Sequence, residues 1–264
     1  MIKLIVLKGL FDYQAMIVAL QIGKKNSEGL PGKNIRPLLG RPLMEYPLIA
    51  ADACEDIEKI YISTDSSQMA DIASKYSAEW IKRPDELSKS ETLTEDVLVH
   101  AYDIITKNES SSIEFLVILL CNCPNIKVGF LSEAISILRN DNTLDSVFSV
   151  SEYNMFSPMR ARKLGKENII EPYVDLDQFN SLSSIRDEQE TCYYADLGVQ
   201  VVRPRCILEI EKGMPPIKWM GKKSYGLVSD FGFDLDAKWQ VPVLEYWLKE
   251  NSFTLSSTPF DRSS

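Results

Sequence analysis

Short apolar runs alternate with segments of helical period along most of this chain, and that alternation constrains its fold more than any other feature. Residues 16–22 (MIVALQI), 59–63 (KIYIS), 115–120 (FLVILL), 146–150 and 198–203 (GVQVVR) each have the length of a strand. FLVILL is apolar at every position, which predicts a central strand covered on both faces. Between these runs, 42–53, 67–76, 93–107 and 130–139 carry apolar residues at helical spacing. Asp65 and Ser66 stand where the helix from Ser67 needs its cap. Pro47 lies inside the 42–53 segment, where a proline costs a helix hydrogen bond. A closing helix is expected over 239–250, with Val243, Tyr246 and Trp247 on one face. This order of elements implies an α/β fold with a parallel sheet and helices on both faces, because parallel neighbours require a crossover that returns to the same end. The expected organisation is an N-terminal extension over 1–15 and one domain over 16–250. A polar, irregular stretch over 151–195 forms an inserted arm or lid. The Ser-rich tail, 251–264, is expected to fray.

Charge and cysteine usage exclude some partners. Lys and Arg total 29 against 38 Asp and Glu, a net charge of −9 over 264 residues. Nucleic acid and anionic membrane are therefore poor partners, although a local basic pocket is still allowed. Five cysteines without a disulfide-framework spacing point to a reducing, cytoplasmic setting. No apolar run approaches the length of a spanning helix. Lys8 interrupts the first apolar stretch before a signal-peptide core forms, and no small-residue cleavage site follows.

Two features carry chemistry. The first is the loop after the first strand, GKKNSEGLPGKN (23–34). Gly23, Gly29 and Gly32 let the backbone approach a ligand and turn its N–H groups toward it. Lys24, Lys25, Lys33 and Arg36 add positive charge, and Glu28 removes some. Amide donors, cations and little bulk are what a polyphosphate needs. The pattern is neither a P-loop nor GxGxxG, and on spacing alone it reads equally as a solvated surface loop. The second is Asp234-Leu235-Asp236. In a strand the two carboxylates share one face and form half a site for Mg²⁺, whose other ligands are waters and substrate phosphates. Together the two features imply nucleotidyl transfer. Asp175-Leu176-Asp177 offers the same spacing elsewhere, and two solvated aspartates are the plainer reading of either pair. His100, the single histidine, falls in a helix without a nucleophile nearby. Cys121 and Cys123 lack further ligands at zinc spacing and read as packing residues.

The segment Asn26-Ser27-Glu28-Gly29-Leu30-Pro31-Gly32-Lys33-Asn34-Ile35 resembles the N-terminal signature of the acylneuraminate cytidylyltransferases, the CMP-sialic acid and CMP-Kdo synthetases. The similarity continues through Leu39–Leu43, Ile62–Ser66, Lys82–Leu87, Asp145–Val150 and Phe233–Asp236, so it spans about residues 16–250. The resemblance implies a Rossmann-like, mostly parallel sheet flanked by helices, of the nucleotide-diphospho-sugar transferase type, with a small dimerisation arm. It also implies transfer of CMP from CTP to an acidic 3-deoxy-2-keto sugar in a homodimer. Carried over by position, Gly23, Lys24, Asn26, Ser27, Lys33 and Asn34 would line the nucleotide pocket, with Arg83 and Thr94 beside them. Lys33, Asp234 and Asp236 would serve catalysis, and the two aspartates would hold Mg²⁺. Arg160, Arg186 and Tyr194 would meet the acceptor.

Some positions depart from the family. Lys24 stands where many sialic acid members have Arg and loses the bidentate fork. Glu28 reverses the sign of a family lysine, and Lys25 is placed to offset it. Cys121-Asn122-Cys123-Pro124 replaces a Gln-Pro-Thr-Ser stretch. Tyr194-Ala195-Asp196-Leu197 replaces a segment carrying an Arg and an Asn. The nucleotide side is thus closer to the family than the acceptor side. The expected activity is cytidylyl transfer to an acidic sugar. The alternatives are a different acceptor, such as a phosphonate, or a nucleotide-binding homologue without activity.

Overall fold

A computed structural model describes residues 15–26, 29–153, 157–180, 182–185 and 188–260. The chain opens with β1 (Met16–Ile22), a small hairpin of β2 (Pro37–Leu38) and β3 (Arg41–Pro42), then α1 (Glu45–Asp52), β4 (Lys59–Thr64), α2 (Ser67–Ala73) and β5 (Glu79–Lys82). It continues through α3 (Thr94–Asn108), β6 (Ile113–Leu120), α4 (Val128–Asn140) and β7 (Ser146–Glu152). A second hairpin, β8 (Arg162–Leu164) with β9 (Ile170–Pro172), precedes β10 (Tyr193–Val202). The last elements are α5 (Arg205–Leu208), β11 (Ser224–Ser229) and α6 (Val241–Glu250).

Seven strands form one sheet in the order β11-β7-β10-β6-β1-β4-β5. Every pairing is parallel except those of β10 with β6 and β7. The sheet is thus mostly parallel, as expected, and β10 is the exception for a topological reason. Among the described residues no α-helix lies between β7 and β10, and β10 begins beside the end of β7, with Tyr193 opposite Glu152. A strand entered in that way runs antiparallel.

The central strands are buried on both faces, as FLVILL implied. Ile17, Ala19, Phe115, Val117 and Leu119 pack on one side with Leu48, Met69, Leu131 and Leu138 from α1, α2 and α4. Val18, Leu20, Leu116 and Ile118 pack on the other with Val97, Leu98, Ala101 and Ile105 from α3. Because β1, β4, β6 and β7 run the same way, their carboxyl ends open on one edge of the sheet, where ligands of such sheets bind.

Local details differ from the expectation. The first helix starts at Glu45 rather than 42, since Arg41 and Pro42 pair with Leu38 and Pro37. Pro47 thereby falls in the first turn, where its missing N–H had no partner to lose. In α6 the buried face is Leu244, Trp247 and Leu248, while Tyr246 is 65% exposed. The reason is a third cluster, Leu38, Leu43, Tyr46, Phe233 and Leu235, against which that face packs. Asp234 and Asp236 do not lie in a strand; they sit in an extended segment held by the Leu235 N–H on the Asn122 carbonyl at 2.8 Å. The tail does not fray over its described part. Phe253 is buried, edge-on to Tyr46 at 5.4 Å and to Phe260 at 5.9 Å. No helix among the described residues is long and apolar enough to cross a membrane.

Phe253 therefore closes the core beneath the Asp234 segment. Phe253→Ala is expected to cost about 3 kcal/mol, read as a lower urea midpoint with an unchanged m-value.

Candidate active site

The end of β1 passes between its neighbours at Gly23. Its N–H donates to the Ser63 carbonyl at 3.3 Å. A Cβ there would overlap the Cys121 sulfur and stand 2.9 Å from the Met69 methyl. This close packing also explains Cys121, which is buried and whose thiol pKa burial pushes up to about 12. Downstream, Gly32 adopts φ 68° and admits the tight turn at Lys33–Ile35. Asn34 is buried, its Nδ2 donating to the Lys24 carbonyl at 3.0 Å and its backbone oxygen accepting from Met44 at 2.9 Å. The glycine loop is thus tied at both ends.

Above this loop lies a cavity of about 260 Å³. Gly23, Lys24, Lys33, Asn34, Arg83 and Thr94 all line it, as expected. Asn26 is exposed and absent from the lining, so that expectation is not met: the loop turns outward there. Ser27 and Glu28 lie outside the described residues. Leu87, Lys89, Thr92 and Asn122 also line the cavity, and sequence reasoning missed them. Lys89 and Thr92 come from the irregular segment before α3, which no periodicity marks. The signal available for Lys89 was its position between Arg83 and Thr94.

Arg83 is the most telling cation. It is 6% exposed. Its Nε donates to Ser63 Oγ at 3.3 Å and its Nη2 to the Ser63 carbonyl at 2.6 Å. No carboxylate among the described residues forms an ion pair with it, and burial pulls its pKa down. Asp65 favours the charged guanidinium only from beyond ion-pair distance; a buried guanidinium without a close counter-ion is costly, and an anion entering the cavity reduces that cost. Among the described residues Lys24 Nζ donates to the Lys89 carbonyl, at 3.4 Å. Positive charge is therefore gathered in one place on an acidic protein.

Asp234 and Asp236 do not line the cavity themselves; each is joined to a residue that does, Asp234 to Asn122 and Asp236 to Lys33. Asn122 Nδ2 donates to Asp234 Oδ2 at 3.1 Å and to the Leu235 carbonyl at 3.3 Å. Lys33 Nζ pairs with Asp236 Oδ1. Burial, and then the charge of Asp236, raise the Asp234 pKa. Two hard oxygen donors pressed together, with a lysine drawn onto one of them, form half of the donor set a divalent cation such as Mg²⁺ takes; waters and phosphate oxygens would complete it. The other pair, Asp175 and Asp177, is accounted for locally, because Asp175 Oδ1 caps a short turn by accepting from the Asp177 N–H at 3.0 Å. Cys123 is fully buried, with burial raising its thiol pKa. His100 sits in α3 and does not line the cavity.

On the acceptor side the expected residues divide. Tyr194, on β10, lies close enough to Asp234 for that charge to reinforce burial in raising its phenol to about 12. Its ring meets Tyr153 at 5.5 Å. Arg160 is not brought to the cavity above the glycine loop. It is exposed in the arm and lines a separate hollow of about 480 Å³ with Arg162, Leu176 and Gln189. Arg186 lies outside the described residues.

The family model for cytidylyltransferases matches residues 24–210, from the glycine loop through β10 and α5. The chain belongs to the cytidylyltransferase family. It is 31% identical over 186 residues to the CMP-N,N'-diacetyllegionaminic acid synthase of Legionella pneumophila, covering 68% of this chain and 77% of that protein. It is 30% identical over 167 residues to the N-acylneuraminate cytidylyltransferase of Escherichia coli, covering 63% of this chain and 36% of that protein. The corresponding enzyme of Oncorhynchus mykiss is 24% identical, over 87% of this chain and 49% of its own length. The chain thus spans about a third of one of these relatives and half of another. The fold is shared with a CMP:2-keto-3-deoxy-manno-octonic acid synthetase complexed with CTP, at a TM-score of 0.64 and 12% identity over 89% of this chain and 99% of that one. It is also shared with the 4-diphosphocytidyl-2C-methyl-D-erythritol synthase of Anaerococcus prevotii, at a TM-score of 0.58.

Replacing Arg83 separates stability from ligand affinity. Arg83→Met is expected to leave the ligand-free urea midpoint equal or higher, because the unpaired buried charge is gone. It is expected to weaken tripolyphosphate binding by about 2 kcal/mol, roughly thirtyfold, in titration calorimetry.

Proposed function

We propose that this chain transfers CMP from CTP to the hydroxyl of an acidic 3-deoxy-2-keto sugar, releasing pyrophosphate. The observation that carries the reading is the unpaired Arg83 guanidinium, buried in a cavity with Lys24, Lys33 and Lys89 at the carboxyl edge of the sheet. An acidic chain that concentrates cations there is built to receive a polyanion. Lys24, Lys33 and Arg83 hold the triphosphate, while Asn34 and Thr94 meet the nucleoside. Asp234 and Asp236 hold Mg²⁺, which when bound offsets charge on the phosphates. Lys33 changes partner on binding, from Asp236 to a phosphate oxygen. With no histidine in the cavity, rate enhancement rests on alignment and fixed charge. The acceptor enters from the Tyr194 side. Since Arg160 lies in the arm and not in the cavity of its own chain, we read it as serving a second copy. The arm's Leu164, Ile169, Ile170 and Tyr173 are 61–70% exposed, and a homodimer would cover them.

A different acceptor, such as a phosphonate, is the second reading. It is favoured by the Tyr194–Leu197 segment, which carries neither the Arg nor the Asn of the sialic acid enzymes.

The test is pyrophosphate release from CTP and Mg²⁺ with sialic, legionaminic, pseudaminic and Kdo-type acids and a phosphonate. Release with one acid, lost in Asp236→Asn, is the expected result. Release with the phosphonate alone would select the second reading, and failure to bind CTP would reject both. For assembly, sedimentation equilibrium is expected to show a dimer that Ile170→Asp converts to monomer; an unchanged mass would remove the arm from the interface.

A further inference from the structure

One buried carboxylate has no part in the mechanism above. Asp196 is 1% exposed. It sits on β10 where the register with β7 shifts between Ala195 and Gln200. No lysine or arginine among the described residues forms an ion pair with it. Neutral donors hold it instead. Ser149 Oγ and, at 3.0 Å, the Gly198 N–H donate to Oδ1. The Ser151 and Ser229 hydroxyls both donate to Oδ2 at 2.6 Å. Convergent donors of this kind satisfy the ionised form. A buried charge without a cation is retained only where its hydrogen bonds are complete.

The donors show what this carboxylate does. Ser149 and Ser151 belong to β7, and Ser229 is the last residue of β11. From Ser229 the chain runs directly into the segment that carries Asp234 and Asp236. Two further contacts pin that segment to the same point. At Gly232 a Cβ would stand 2.8 Å from the Asp196 carboxyl carbon, so the backbone lies directly on it. The Cys123 thiol bridges the carbonyls of Asp196, at 3.7 Å, and Phe233, at 3.8 Å. Beside Cys123, Asn122 grips Asp234. The segment is thus tethered at 229, 232 and 233, immediately before its first carboxylate.

We propose that Asp196 is a positioning residue that sets the place of the Asp234–Asp236 pair, and so the affinity of the pair for a divalent cation. This rests on the reading of that pair as the cation-holding carboxylates. Asp196 touches neither nucleotide nor acceptor; its carboxylate acts through the Ser229 hydroxyl and the backbone at Gly232.

Asp196→Asn keeps the side-chain shape but turns an N–H₂ toward two of the donors. Ser229→Ala removes one tether and leaves the charge. Mn²⁺ binding is followed by electron paramagnetic resonance with CTP present, and CTP binding by calorimetry in EDTA. Asp196→Asn is expected to weaken Mn²⁺ binding about tenfold or more and Ser229→Ala about threefold, with CTP binding in EDTA unchanged. In pyrophosphate release, excess metal is expected to restore kcat in both variants. Mn²⁺ affinity unchanged in a folded Asp196→Asn overturns the proposal, and so does an equal loss of metal and nucleotide binding. Should Asp196→Asn not fold, unchanged Mn²⁺ affinity in Ser229→Ala overturns it. Asp236→Asn separates the two levels. Full Mn²⁺ affinity there rejects the reading of the pair and the inference with it. Loss there, with affinity kept in Asp196→Asn, rejects the inference alone.

Discussion

Everything in this molecule follows from burying β1 and β6 on both faces. Strands that are apolar on both faces must be covered on each side, and parallel neighbours oblige the covering helices to act as crossovers. The same constraint brings the ends of β1, β4 and β6 to one edge and packs them so tightly that only a glycine fits at position 23, against Cys121 and Met69. The loop that must leave the sheet there is therefore forced across the mouth of the cavity.

Electrostatics divides that edge into two parts. On one side Arg83, Lys24, Lys33 and Lys89 gather positive charge, with the buried guanidinium bonded to Ser63 alone among the described residues. On the other stand Asp234, Asp236 and the serine-bound Asp196. Lys33 spans the boundary through its pair with Asp236. An arrangement of this kind carries unfavourable charge in the empty protein so that a polyanion and a cation can relieve it together, the usual exchange of stability for function at such sites.

Much of the cavity was legible from spacing, because the residues that line it sit at strand ends and helix starts. Gly23, Lys24, Lys33 and Asn34 follow β1, Arg83 follows β5, and Thr94 opens α3. Where a residue's role depends on which way a loop turns, the sequence was silent. Asn26 points out of the cavity, whereas Lys89, Thr92 and Asn122 line it. Asn122 lay inside a segment conspicuous for its cysteines, and its amide proved to be what holds the carboxylate pair. Arg160, expected at the acceptor, lines a hollow apart from the cavity.

The sequence alone determined the alternation of strands and helices, the burial of the central strands and the loop chemistry at their ends, since these depend on local period and residue type. Tertiary structure decided the direction of β10, the face that α6 buries, the packing of the tail through Phe253 and the serine cage around Asp196. Each of those depends on a partner far away in the chain. Ser149, Ser151 and Ser229 look like ordinary strand residues until the sheet order β11-β7-β10 brings their hydroxyls onto one carboxylate.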